Sequence, residues 1–167
     1  MIQINREHLL ELCADLMDGH IVYAMGAKAR TLHAEPADIP ALDCSGFTRY
    51  LIFQATDGQV HLPDGSDEQN TWCVRQHLRP DSYAHVAGLG DGTLRIAFIP
   101  REYKNGRLHR AGHVWLLVDG RTLESHGSKG PDRRDWNCSR LTGRVKTCYA
   151  LAHLYSMTFG PVEIGKG

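Results

Sequence analysis

The segment His113-Val114-Trp115-Leu116-Leu117-Val118-Asp119-Gly120-Arg121-Thr122-Leu123-Glu124-Ser125-His126 reads as a β-hairpin. Asp-Gly between two apolar-rich runs is a strong signal for a two-residue turn. With Asp119 and Gly120 in the turn, Val118 faces Arg121, Leu117 faces Thr122 and Leu116 faces Leu123. Counting on, Trp115 faces Glu124, Val114 faces Ser125 and His113 faces His126. Directly opposed residues of an antiparallel pair share a face, with Cβ atoms about 4.5–5.5 Å apart, so the two imidazoles come within hydrogen-bond reach. A slip of one residue would separate them. Opposed histidines also occur as a partly exposed polar pair without chemistry, so the reading depends on what else the chain brings to them.

The second informative run is Asp43-Cys44-Ser45-Gly46-Phe47, continued by Thr48-Arg49-Tyr50-Leu51-Ile52. It reads as a helix with Asp43 as N-cap and Cys44 in the first turn, running to about Ala55 before Asp57-Gly58 turns the chain. A helix N-terminus presents unpaired N–H groups and partial positive charge, which favour thiolate over thiol and can bring a cysteine pKa down from about 8.5. Gly46 permits another chain to approach closely. The competing reading is a structural thiol, since free cysteine is among the most buried residue types.

A thiol at a helix start together with two paired histidines is what nucleophilic cysteine catalysis requires. Cys44 attacks a carbonyl, His113 takes and returns the proton, and His126 fixes the orientation and tautomer of that ring. The sequence alone leaves the order of the two histidine roles open. One cysteine and two histidines could also hold a catalytic zinc, although no short-spaced ligand pair supports that.

The totals are those of one globular domain, 1–167, able to bury about 70% of the surface its unfolded chain exposes. Apolar residues make up 42% and charged residues 23%, and 19 Lys plus Arg balance 19 Asp plus Glu, so no nucleic-acid partner is suggested. Ten histidines make the charge rise as pH falls through about 6.5. The five cysteines, Cys13, Cys44, Cys73, Cys138 and Cys148, include no CxxC pair and leave at least one thiol unpaired. There is no run long enough to span a bilayer and no secretory signal, so synthesis in a reducing cytoplasm is expected, with delivery to any external target by another system.

Along the chain, Asn5 caps a helix whose stripe is Leu9, Leu12, Cys13, Leu16 and Met17, ending near Gly19. Residues 28–40 read as a loop. Ser66 and Gln69 stand at capping-box spacing and predict a short helix toward Leu78. Thr93–Ile99 alternates as a strand closed by Pro100, Val145–Leu151 is a late strand candidate, and Arg101–Gly112 is a basic loop between strands.

The Asp43–Phe47 run, Gly112-His113-Val114 and His126, in that order, resemble the NlpC/P60 family of papain-like cysteine peptidases. Ile21-Val22-Tyr23 resembles the family's tyrosine segment, and Leu62-Pro63 with Gln69 its Leu-Pro then Gln stretch. The resemblance spans residues from about 20 to 136. It implies an α+β fold with the nucleophile helix packed on an antiparallel sheet, and hydrolysis of an amide bond in bacterial peptidoglycan stem peptides, usually between D-glutamate and a diamino acid. It also implies Cys44, His113 and His126 as catalytic residues, with Tyr23, Asp43 and Ser45 beside the nucleophile as substrate-binding residues. Tyr23 is the expected second oxyanion donor. No metal or cofactor is implied. The expected setting is the cell wall, as a phage lysin, a phage-tail enzyme or an antibacterial effector of a secretion system, acting as a monomer, with an immunity or inhibitor protein as a candidate partner. The alternative is a non-enzymatic phage-tail or binding protein keeping the same fold. The family's glycine-rich run is represented here only by Tyr23-Ala24-Met25-Gly26, and the 101–112 loop looks like an insertion beside the site.

Overall fold

A computed structural model describes residues 2–127 and 129–155. The chain forms β1 (Ile2–Asn5), α1 (Arg6–Leu16), a 3-10 turn at Pro36–Asp38, α2 (Cys44–Ala55), α3 (Ser66–Arg75) and α4 (Tyr83–Val86). Then follow β2 (Thr93–Ile99), β3 (Glu102–Lys104), β4 (Arg107–Arg110), β5 (His113–Val118), β6 (Arg121–His126), β7 (Gly130–Asp132) and β8 (Thr147–Tyr155). Six strands make one sheet in the order β1-β8-β2-β5-β6-β7. Every pairing is antiparallel except β1 with β8, which is parallel. The α+β expectation holds, with that one correction to an all-antiparallel sheet.

The sheet is covered on both sides, and its alternation sorts the core. Leu94, Ile96 and Phe98 of β2 with Val114, Leu116 and Val118 of β5 pack against α1 and α2 through Leu9, Leu16, Phe47 and Leu51. Their neighbours Ala97, Ile99, Trp115 and Leu117 form a second cluster with Tyr83, Leu141 and Cys148. Two-sided cover explains why every residue of β2 is buried. Arg95, on the second side, is buried because it has two carboxylates: Asp81 at 2.9 Å and Asp91 at 2.6 Å.

Asn5 caps α1 by accepting a hydrogen bond from the His8 N–H at 3.0 Å. At α3 the capping box does not form. Gly65, with φ of 96°, occupies the N-cap and Ser66 is already helical. The 101–112 segment, expected as a loop, is the two-stranded β3–β4 hairpin. The strands β1 and β7 and the short α4 carried no sequence signal strong enough to be anticipated; β7 even contains Pro131, which suits an edge strand.

The Asp119-Gly120 turn takes φ of 51° and 75°, the left-handed pair that a two-residue hairpin turn requires. The paired residues are Val118 with Arg121, Leu117 with Thr122 and Leu116 with Leu123, the register counted from the sequence.

Candidate active site

Cys44 stands first in α2, the most buried helix of the fold. Asp43 accepts from the Gly46 N–H at 2.6 Å and from the Ser45 hydroxyl at 3.1 Å, and its other oxygen accepts from the Gly26 N–H at 3.1 Å. One carboxylate therefore caps the helix and also ties down the loop that follows Tyr23. The loop runs along the segment before Cys44: the Val22 N–H donates to the Pro40 carbonyl, the Leu42 N–H to the Val22 carbonyl, and the Asp43 N–H to the Ala27 carbonyl at 2.9 Å. Gly46 is required at this contact, because a Cβ there would lie 2.6 Å from the Ala27 oxygen.

Gln69 accounts for the Leu-Pro and Gln elements of the sequence. Fully buried, it donates through Nε2 to the carbonyls of Ser45 and Pro63, both at 3.0 Å, and so holds the Leu62-Pro63 turn against the nucleophile helix. From the sheet side, the Ser125 hydroxyl donates to the Leu42 carbonyl at 2.7 Å, locking β6 to the residues before Cys44.

His113 opens β5. Its ring lies near enough to Cys44 for the two groups to influence each other's charge, and it is hydrogen-bonded to Glu124. Nε2 lies 2.7 Å from the Glu124 Oε1, which leaves Nδ1 for the thiol. Burial works to lower the pKa of His113, but the hydrogen bonds and charges of Cys44 and Glu124 outweigh it and push the ring up to about 9. Glu124 is wholly inaccessible, and Arg134 grips it with two bonds, Nε to Oε2 at 2.9 Å and Nη2 to Oε1 at 2.6 Å. Burial raises its pKa, while hydrogen bonds from His113 and Arg134 bring it down to about 2.

Where His126 is expected to orient the His113 ring, the structure places Glu124 on its Nε2 as well. The His113 ring lies stacked on Trp115, with centroids 5.3 Å apart and planes 24° from parallel. The hairpin register, continued one pair outward, sets Trp115 opposite Glu124, so a ring folded over Trp115 leans toward the turn and meets the diagonal neighbour. His126 meets β7, with Nε2 2.8 Å from Asp132 Oδ2. The signal available in the sequence was a glutamate interrupting a run destined for the interior, where a carboxylate survives only with partners.

Tyr23 is half-buried near the sulfur. Burial, and then the neighbouring Cys44 and Asp43, push its pKa up to about 12, so its hydroxyl remains a neutral donor. Asp43 and Ser45 are spent on each other and on the helix N-terminus. The remaining buried thiols are distinct in setting: Cys13, Cys73 and Cys148 are each pushed up to about 12 by burial. Among the described residues no group of three His, Cys, Asp or Glu side chains is arranged to hold a metal ion. A cavity of about 1140 Å³ opens at the other end of α2, lined by His61, Trp72, His77 and Leu151, and it includes neither Cys44 nor His113.

The class follows from architecture: helices packed on a mostly antiparallel sheet, with a cysteine starting the central helix, is an α+β domain of the NlpC/P60 fold. Among solved structures, the chain is similar to a protein from Staphylococcus aureus subsp. aureus Mu50 described as similar to lipoprotein, NLP/P60 family. The TM-score is 0.53 at 16% identity, over 89% of this chain and 43% of that one. The chain thus spans less than half the length of that structure. No family model matches the chain, and no curated protein matches it.

Proposed function

We propose that the chain is a thiol hydrolase that cleaves an amide bond in peptidoglycan stem peptides through a covalent acyl-enzyme. The observation that carries this reading is the grouping of Cys44, His113 and Glu124: a thiol at a helix start beside a ring whose Nε2 is held by a buried carboxylate. The wall substrate rests on the fold likeness.

In this mechanism the proton of Cys44 is carried by His113, whose raised pKa suits it to hold that proton while sulfur attacks. Sulfur attacks the scissile carbonyl, and the carbonyl electrons move to oxygen, which the Cys44 N–H and the Tyr23 hydroxyl would receive. The tetrahedral species collapses, the C–N bond breaks, and His113 returns its proton to the departing amine. Water, deprotonated by His113, then attacks the thioester, and the carboxylic product leaves with the thiol restored. Glu124 stays ionised throughout and holds the ring in the tautomer that points Nδ1 at sulfur.

The test is release of peptides from purified peptidoglycan. Cys44→Ala is expected to abolish release while circular dichroism stays that of the folded protein. Turnover near the starting level would refute the assignment of Cys44.

A further inference from the structure

The chain leaves the sheet at Ile99 and returns at His113, and these two residues are a paired position of β2 and β5. Everything between them is the β3–β4 hairpin, so it springs from the strand ends that carry the proposed base. Its foot is fixed: Arg101 reaches Asp67 at 3.3 Å, and a Cβ on Gly112 would lie 3.3 Å from the Ser66 hydroxyl. Its tip is a two-residue turn, with Asn105 and Gly106 at φ of 53° and 76°.

The charges on this arm are unbalanced. Glu102 is taken by Arg144 at 3.1 Å and Arg110 at 3.8 Å. Lys104, Arg107 and His109 are exposed and have no acidic partner among the described residues. Lys104 and Arg107 are moreover a directly opposed cross-strand pair, an arrangement of like charges that is unfavourable in an empty hairpin and relieved by an anion between them. The next pair is Tyr103 with Leu108, exposed to 60% and 55%. The chain as a whole is neutral, so this concentration of cations is local.

Resting on the hydrolase reading above, we infer that the β3–β4 hairpin is a substrate-binding arm whose Lys104 and Arg107 receive the free carboxylates of an acidic peptide lying across the Cys44 site. The dimensions suit it: at about 3.3 Å per residue, Arg107 stands at most about 20 Å along the strand from His113, a span covered by a peptide of about six residues. Arginine and lysine together bind carboxylates by charge-assisted hydrogen bonds, and Tyr103 and Leu108 offer the peptide stem an apolar contact.

The experiment uses Cys44→Ala protein and fluorescein-labelled pentapeptides with either free or amidated carboxyl groups, read by anisotropy. The carboxylate form should bind about tenfold more tightly, as a single charge-assisted contact would give. That preference should collapse toward unity in Lys104→Glu/Arg107→Glu and at high salt, and persist in the charge control Arg140→Glu. Equal binding of the two peptides, or a preference that survives the double reversal, overturns the proposal; so does selective binding to vesicles of anionic lipid without peptide preference. Cleavage by the native chain is scored separately. A preference that depends on the hairpin without cleavage would sink the hydrolase reading and leave the arm, whereas cleavage without preference would do the reverse.

Discussion

Glu124→Gln is the sharpest perturbation of the site, because it keeps shape and removes one charge. The native carboxylate serves three donors with two oxygens: His113 Nε2 at 2.7 Å and Arg134 at 2.6 and 2.9 Å. Glutamine offers one oxygen and an NH2 group. Whichever way the amide turns, an N–H faces either the His113 donor or the guanidinium of Arg134, whose side chain is only 15% exposed. Removing one member of a buried ion pair costs about 3–5 kcal/mol. With a urea m-value of about 2 kcal/mol/M, the unfolding midpoint should fall by about 2 M.

The effect on chemistry is separable from the effect on stability. Loss of the carboxylate withdraws one of the two groups that raise the His113 pKa, so the ring surrenders its proton at lower pH. The limb of the Cys44 alkylation profile that reports the ring should therefore move to lower pH from its native position near 9. Peptide release should fall by roughly 10²–10⁴, the range for losing the group that fixes a catalytic imidazole. His126→Ala is the matched comparison, since the Nε2 of His126 is held by Asp132. It should cost about 1–2 kcal/mol and leave the alkylation profile in place. If Glu124→Gln alkylates as the native protein does while His126→Ala loses the reaction, the carboxylate is not the orienter and the geometric argument fails.

Gly46→Ala drives a Cβ to within 2.6 Å of the Ala27 oxygen, so it should cost about 1–3 kcal/mol in thermal or urea unfolding and lower activity by moving the Tyr23 loop. Asp43→Asn keeps the helix cap but loses one acceptor among the Gly46, Ser45 and Gly26 donors; about 1 kcal/mol of stability should go, measurable by urea titration. The His113–Glu124 pair also predicts a pH window. His113 is raised from 6.5 to about 9, so its contribution is complete below about 6.5 and lost as pH rises through about 9. Glu124 is lowered from 4.5 to about 2, so its contribution is complete above about 4.5 and lost as pH falls through about 2. Urea midpoints measured across pH should show a plateau between these limits that flattens away in Glu124→Gln.

What the sequence made legible were local rules with one strong solution. Asp119-Gly120 admits essentially one turn, and the turn fixes the register: of the six pairs counted outward from it, the three nearest the turn are ladder pairs of the sheet. Asp43 before Cys44 is a capping pattern, and α2 begins there. What stayed hidden depended on the reach of side chains and on distant pairings. Counting strand positions treats the directly opposed residue as the partner, and so it does not anticipate the bond of the stacked His113 ring to the diagonal Glu124. Arg134 was invisible for the same reason: its place is set by a stretch alongside β6, where its N–H donates to the Thr122 hydroxyl at 2.7 Å. Likewise β1 pairs with β8 from the opposite end of the described chain, a contact that no local pattern announces.

The double grip on Glu124 decides what that carboxylate can do. Two-sided cover of the sheet leaves it inaccessible to water, and a lone buried carboxylate would be driven toward the protonated form. Arg134 prevents this, bringing its pKa down to about 2 jointly with His113. A carboxylate so weakly basic does not take the second proton of the imidazolium, so in the proposed mechanism the proton removed from Cys44 stays on His113 for the departing amine. The sulfur, the ring, the carboxylate and the guanidinium then form a row of alternating sign with no net charge when sulfur is ionised. Such a row is tolerable in an interior where any single member alone would be costly. Withdrawing Arg134 should therefore act on the site through Glu124: Arg134→Met should push the Glu124 carboxyl toward protonation, and the ascending limb of the pH–rate profile should move even though the substituted residue is hydrogen-bonded to neither Cys44 nor His113.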